Sequence, residues 1–175
     1  MPSNLPRHLR TISALGATAV YCAALLGLLA APAHAELLVR HDLPTATAVL
    51  LAQTAIDFCK AEGYAVSAVV VDRAGNTQVS IRGDNAAGHT QENARRKAYT
   101  ALVFKIPTTE YTKRYTDNNP LVRQQLTLPN VIAIPGGIPI KAGNEVIGGI
   151  GVSGSPGVDD GCVQAGLDKV ADQLK

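Results

Sequence analysis

Aromatic rings are scarce in this sequence: its 175 residues hold no tryptophan, two phenylalanines and five tyrosines. A deep pocket walled by aromatic side chains is therefore excluded, and any ligand site is expected to be shallow, at the surface or at a subunit contact. Cysteine is scarce as well, with three in the chain. Cys59 and Cys162 do not make a disulfide scaffold, and free buried thiols or a bridge within or between subunits all fit them. Beyond residue 35 the only histidines are His41 and His89, with no C-x-x-C or H-x-x-x-H spacing. A preformed zinc site is excluded on that count. Ser153 and Ser155 lie in a glycine-rich stretch but in no G-x-S-x-G elbow, so a hydrolytic triad has no support. There is no internal repeat and no low-complexity segment.

Charge of one sign is missing too. The chain carries 16 Lys and Arg against 14 Asp and Glu. The first 35 residues hold Arg7 and Arg10 and no acid, so the remainder keeps 14 of each sign. A neutral surface without an aromatic-plus-basic stripe gives no reason to expect nucleic acid.

What is present begins with a leader. Arg7, His8 and Arg10 precede an uncharged apolar run from Ile12 to Ala31, Pro32 breaks it, and Ala33-His34-Ala35 places small residues around one position. This is the pattern of a cleavable secretory signal, with Glu36 as the new N-terminus. Residues 1–35 are the expected signal peptide and 36–175 a single domain, secreted or periplasmic. No later apolar run is long enough to span a membrane.

Along that domain helical and extended patterns alternate. Pro44–Glu62 predicts a helix, with Asp42 as its cap, Val49, Ala52, Ile56 and Cys59 on one face, and Gly63 as its stop. Tyr64–Val71 and Thr77–Ile81 predict strands, joined into a hairpin by Asp72-Arg73-Ala74-Gly75-Asn76. Thr90–Lys105 predicts a second helix with Ala94, Ala98, Ala101 and Leu102 on one side, ended by Pro107. A helical stretch over Thr108–Thr116 leads to a loop at Asn118-Asn119-Pro120. Short strands are expected at Val131–Ile134 and Ile138–Lys141, and a longer one at Glu145–Val152 after a Gly143-Asn144 turn. Asp159 or Asp160 caps a last helix that runs to about Leu174. Tight hairpins between strands argue for an antiparallel sheet with helices against it, an α+β fold.

Gly149-x-Gly151-x-x-Gly154 satisfies the dinucleotide pattern by letter. That pattern works only when the turn opens a helix inside a βαβ unit. Here Pro156 and Gly157 follow, and no parallel strand can come after the last helix. Glycines that let the strand approach another backbone closely are the better reading. The stretch from His89 to Lys97 sets an imidazole at a helix start and Arg95, Arg96 and Lys97 one to two turns later. It reads either as a ligand site, an imidazole for iron and cations for carboxylates, or as a helix start with a solvated basic face.

These residues resemble the GlcG/HbpS family of haem-binding proteins. The resemblance is carried by Val70-Val71-Asp72-Arg73-Ala74-Gly75, Arg96-Lys97-Ala98-Tyr99-Thr100-Ala101 and Pro107-Thr108. It continues in Gly136-Gly137-Ile138-Pro139-Ile140, Ile147 to Gly154, and Asp160-Gly161-Cys162 leading to Ala165-Gly166. It covers nearly all of residues 42–175 in order. It implies a five-stranded antiparallel sheet flanked by helices, profilin-like in outline, and homo-oligomers from dimers up to octamers. It implies a haem or other tetrapyrrole ligand, with His89 or Thr108 as iron ligand and Arg96 and Lys97 on the propionates. A threonine hydroxyl is a weak iron ligand and an imidazole the better of the two, which favours His89. The function it implies is an exported haem binder for capture, storage or sensing. An interaction module contacting a membrane sensor kinase and a haem-degrading enzyme are the alternatives.

Overall fold

The computed structural model describes residues 36–175; the leader reading falls on residues outside these. Helix α1 (Thr45–Ala61) comes first, then strands β1 (Ser67–Asp72) and β2 (Thr77–Arg82) and helix α2 (His89–Phe104). Helices α3 (Thr108–Thr116) and α4 (Pro120–Gln125) follow, then strands β3 (Gly137–Ala142) and β4 (Glu145–Ser153). Helix α5 (Asp159–Val170) ends in a 3-10 turn, Ala171–Leu174. The strands form one antiparallel sheet in the order β2-β1-β4-β3.

The two faces of β1 follow from strand alternation. Ala68 and Val70 join α1 and α5 in the main core, with Leu51, Ala55, Ile150 and Val163. Val69 and Val71 point the other way, to Ala94, Ala98 and Leu102 of α2. β1 is thus central and buried on both sides, and each fully buried Val, Leu or Ile contributes roughly 1.5–3 kcal/mol.

Helix α2 lies directly on glycines. A Cβ at Gly149 would sit 2.3 Å from the carbonyl oxygen of Ala98, and one at Gly151 would sit 2.1 Å from that of Ala94. The strand glycines therefore serve close helix–sheet approach, as the sequence predicts.

The hairpin between β1 and β2 is built as its sequence requires. Asp72 Oδ1 accepts from the amides of Ala74 (2.9 Å) and Asn76 (2.8 Å), and Gly75 takes a φ of +86° that suits glycine.

Four expectations need correction. Among the described residues the sheet has four strands, not five, because residues 131–134 make no ladder. Their backbone groups are taken by side chains of α2 instead: Arg96 donates to the Val131 carbonyl at 2.6 Å, and the Ile132 amide donates to Thr100 Oγ1 at 2.9 Å. Asp42 does not cap α1, whose N-cap is Pro44; its carboxylate stands 3.7 Å from Arg73 Nε. Val49 lies on the exposed side of α1, while Ala52, Ile56 and Cys59 are buried. The expected loop after Asn118 contains helix α4, opened by Pro120 and capped by Asn119, whose side chain accepts from the Leu121 amide at 3.0 Å.

The cysteine question is answered by packing. Cys59 of α1 and Cys162 of α5 are joined in a disulfide, with Cα atoms 5.5 Å apart and both residues fully buried. A third cluster of Tyr111, Val122 and Val131, with Phe104 stacked on Tyr111, seats α3 and α4 beside the sheet.

Candidate ligand cleft

One end of the sheet gathers the start of β1, the end of β4 and the first residues of α2 and α5. The β ladder pairs Ser67 with Ser153. The hydroxyls of Ser67 and Thr90 lie 2.7 Å apart in a buried hydrogen bond that fastens the first turn of α2 to β1. Between these elements runs a cleft of about 680 Å³, lined by Tyr64, His89, Asn93, Lys97, Pro135 and Asp159 among others. That volume lies in the range of small-molecule sites.

Its floor is a buried ion pair. Lys97 is 1% exposed, and its Nζ donates to Asp159 Oδ2 at 2.7 Å and to the Val152 carbonyl at 2.9 Å. Asp159 Oδ1 accepts from the amide and hydroxyl of Ser155, at 3.0 and 2.7 Å. Every charge in the set has partners, as burial demands. The slot for the lysine exists because residue 136 is glycine: φ is +109°, and a Cβ there would lie 2.6 Å from Asp159 Cβ and 3.0 Å from Lys97 Nζ.

The neighbouring motif residues clamp the same loop. Thr108 is fully buried, and its Oγ1 accepts from the Gly137 amide at 2.8 Å. Asp160 Oδ1 accepts from the Gly136 amide at 2.9 Å, and its Oδ2 accepts from Thr109 Oγ1 at 2.6 Å. Ser155 reaches the other way, its hydroxyl 3.2 Å from Cys59 Sγ, so one serine links the disulfide to the Asp159 carboxylate.

Of the four residues predicted for the site, the structure brings His89 and Lys97 to one cleft and leaves Arg96 and Thr108 outside its lining. His89 is exposed on the first turn of α2 and makes no hydrogen bond to a described residue. Arg96 points to the 131 loop, holding the Val131 carbonyl. Its neighbour Arg95 forms a two-pronged contact with Glu92 at 2.8 Å and holds the Glu92 carboxyl below its ordinary range. Among the described residues no three His, Cys, Asp or Glu side chains converge to hold a bare metal ion.

Sequence reasoning missed Tyr64 and Asp159 as cleft residues, and Ser155 as the partner that holds Asp159. One signal was available for the buried pair: at helical spacing Lys97 falls on the same side as Ala94, Ala98 and Ala101, where a cation must find a counter-charge.

The chain is similar to known proteins over most of its described length. A family model described as "Haem degrading protein HbpS-like" matches residues 43–168. The crystal structure of HbpS aligns with a TM-score of 0.72 at 34% identity, covering 80% of this chain and 98% of that one. The crystal structure of a PduOC–haem complex aligns with a TM-score of 0.67 at 25% identity, covering 73% of this chain and 94% of that one. A curated relative, an uncharacterized 15.0 kDa protein of the dhaT-dhaS intergenic region of Citrobacter freundii, is 36% identical over 86 residues. That match takes in 49% of this chain and 61% of the relative's length.

Proposed function

Because this chain belongs to the HbpS-like family, we propose that its cleft binds haem, with His89 as the iron ligand. The observation that carries this reading is an exposed imidazole, unengaged by any described residue, on the lining of a cleft of about 680 Å³. A neutral imidazole is a strong haem ligand. The cleft also fits an amphipathic ligand. Exposed apolar surface from Ile134 and the Tyr64 ring lies beside the polar floor. Haem, once bound, supplies a redox-active iron; the residues of the chain hold and orient it.

The remaining predicted residues act through the walls. Lys97 with Asp159 sets the floor, Thr108 fixes the Gly136-Gly137 loop, and Arg96 anchors the segment that leads to Ile134 and Pro135.

Titration of the protein with hemin, followed by absorbance, tests the reading. A saturable Soret shift that His89→Ala abolishes is the expected result. Folded protein that gives no saturable shift would remove haem as the ligand. The family description names haem degradation, and the same cuvette distinguishes it: with a reductant added, a decaying Soret band marks turnover and a stable band marks binding alone.

Export is part of the proposal. It rests on the expected leader and is supported by the Cys59–Cys162 bridge, because disulfides persist in oxidising compartments. Self-association is its companion, supported by an exposed apolar groove of about 330 Å³ between Val103 and Leu128, with sedimentation as its check.

A further inference from the structure

The cleft contains a second side chain with iron-donor chemistry. Tyr64 follows Gly63, whose φ of +84° turns the chain out of α1. Its backbone is held firmly: the Tyr64 amide donates to the Cys59 carbonyl at 2.9 Å, and Cys59 is bridged to α5. Three residues further on, Ser67 bonds Thr90, the neighbour of His89. Tyr64 and His89 therefore stand on two wall segments fastened to each other at their bases, and both line the cleft.

The other strong donors there are committed. Lys97, Asp159 and Asp160 have their polar atoms in hydrogen bonds with the protein, and Thr90 is bonded to Ser67 and the Ala87 carbonyl. Asn85 and Asn93 offer only neutral amides. Tyr64 is 38% exposed, and its hydroxyl makes no hydrogen bond to a described residue. An imidazole and a phenol are thus the lining groups with iron affinity that no described residue engages.

We propose that Tyr64 is a second iron donor of this cleft, and that it makes the site selective for ferric over ferrous haem. The inference rests on the haem reading above. On binding, the phenol O–H bond breaks, its proton passes to solvent, and the oxygen lone pair takes the iron; no electron is transferred. An anionic oxygen donor offsets the extra charge of the ferric state and so favours it, and tyrosine is an established haem ligand type.

The test compares wild type with Tyr64→Phe, which keeps the ring and its packing. Each is titrated with ferric haem, and with ferrous haem under dithionite. Expected for the variant are a shifted ferric visible spectrum, ferric affinity lower by on the order of tenfold or more, and ferrous affinity unchanged; even outer-shell partners matter that much at metal sites. An unaltered ferric spectrum and affinity would overturn the proposal, and so would equal losses for both oxidation states, which mark a packing role. If wild type binds haem and only His89→Ala loses it, the tyrosine proposal falls while the haem reading stands. If wild type binds no haem, both fall.

Discussion

Replacing Lys97 with methionine separates a lysine that holds the fold from one that holds the ligand. The thioether keeps most of the stem and removes the ammonium. Two acceptors then lose their donor: Asp159 Oδ2, now at 2.7 Å, and the Val152 carbonyl, now at 2.9 Å. The Asp159 side chain is 9% exposed, so water reaches it poorly, and the carboxylate keeps only Ser155 as partner. Breaking one side of such a pair costs about 3–5 kcal/mol. Against a whole-domain stability of about 5–15 kcal/mol, that is a large share. With a urea slope of about 2 kcal/mol per molar, the unfolding midpoint should fall by about 1.5–2.5 M. Adding Asp159→Asn to Lys97→Met removes the stranded charge and keeps an oxygen for Ser155, so it should restore on the order of 1 kcal/mol, a coupling typical of touching groups. Urea unfolding by circular dichroism measures all three proteins, and hemin titration of the double variant reads the site. A strut role predicts haem affinity within a few-fold of wild type. A Lys97→Met protein with an unchanged midpoint and no haem binding would refute the reasoning, because the lysine would then contact the ligand directly.

Further outcomes follow from the same structure. Cys59→Ala with Cys162→Ala opens a link spanning 103 residues and should lower stability by up to about 4.7 kcal/mol through loop entropy; coincident urea curves with and without the bridge would contradict this. Gly151→Ala forces a Cβ to within 2.1 Å of the Ala94 carbonyl and should destabilise by about 1–3 kcal/mol or more. Gly161→Ala, inside α5 with nothing within 4 Å, should instead stabilise by up to about 1 kcal/mol, and urea unfolding measures both glycine variants. The Glu145 carboxyl is held below its ordinary value of 4.5, first by the hydrogen bond with His41 and then by Arg73. Its contribution is complete above pH 4.5 and is lost as pH falls through the depressed value, so Glu145→Gln should flatten the loss of stability on acidification below that point.

Local signals in the sequence were read correctly where the chemistry was local. The Asp72-to-Asn76 turn, the stop at Gly63 and the alanine face of α2 each depend on neighbours a few residues away. The strand at 131–134 was misread because its apolar, β-branched character suits a buried segment of any kind. Only the positions of Arg96 and Thr100 decide that its backbone bonds go to side chains. Helix α4 escaped notice because six residues carry too short a period to show.

The site divides along the same line. Membership of the family, the α+β class, the glycine strip under α2 and the placing of His89 at a helix start were legible in the sequence, since each lies in residue order and spacing. Which groups share a cleft was not. Lys97 meets Asp159 across 62 residues, and Cys59 meets Cys162 across 103. Such pairs form when packing brings two buried groups within reach and removes water as the alternative partner. The tertiary structure alone thus set Arg96 and Thr108 to hold loops, buried Lys97 beneath the cleft and put Tyr64 and His89 on the lining of one cleft.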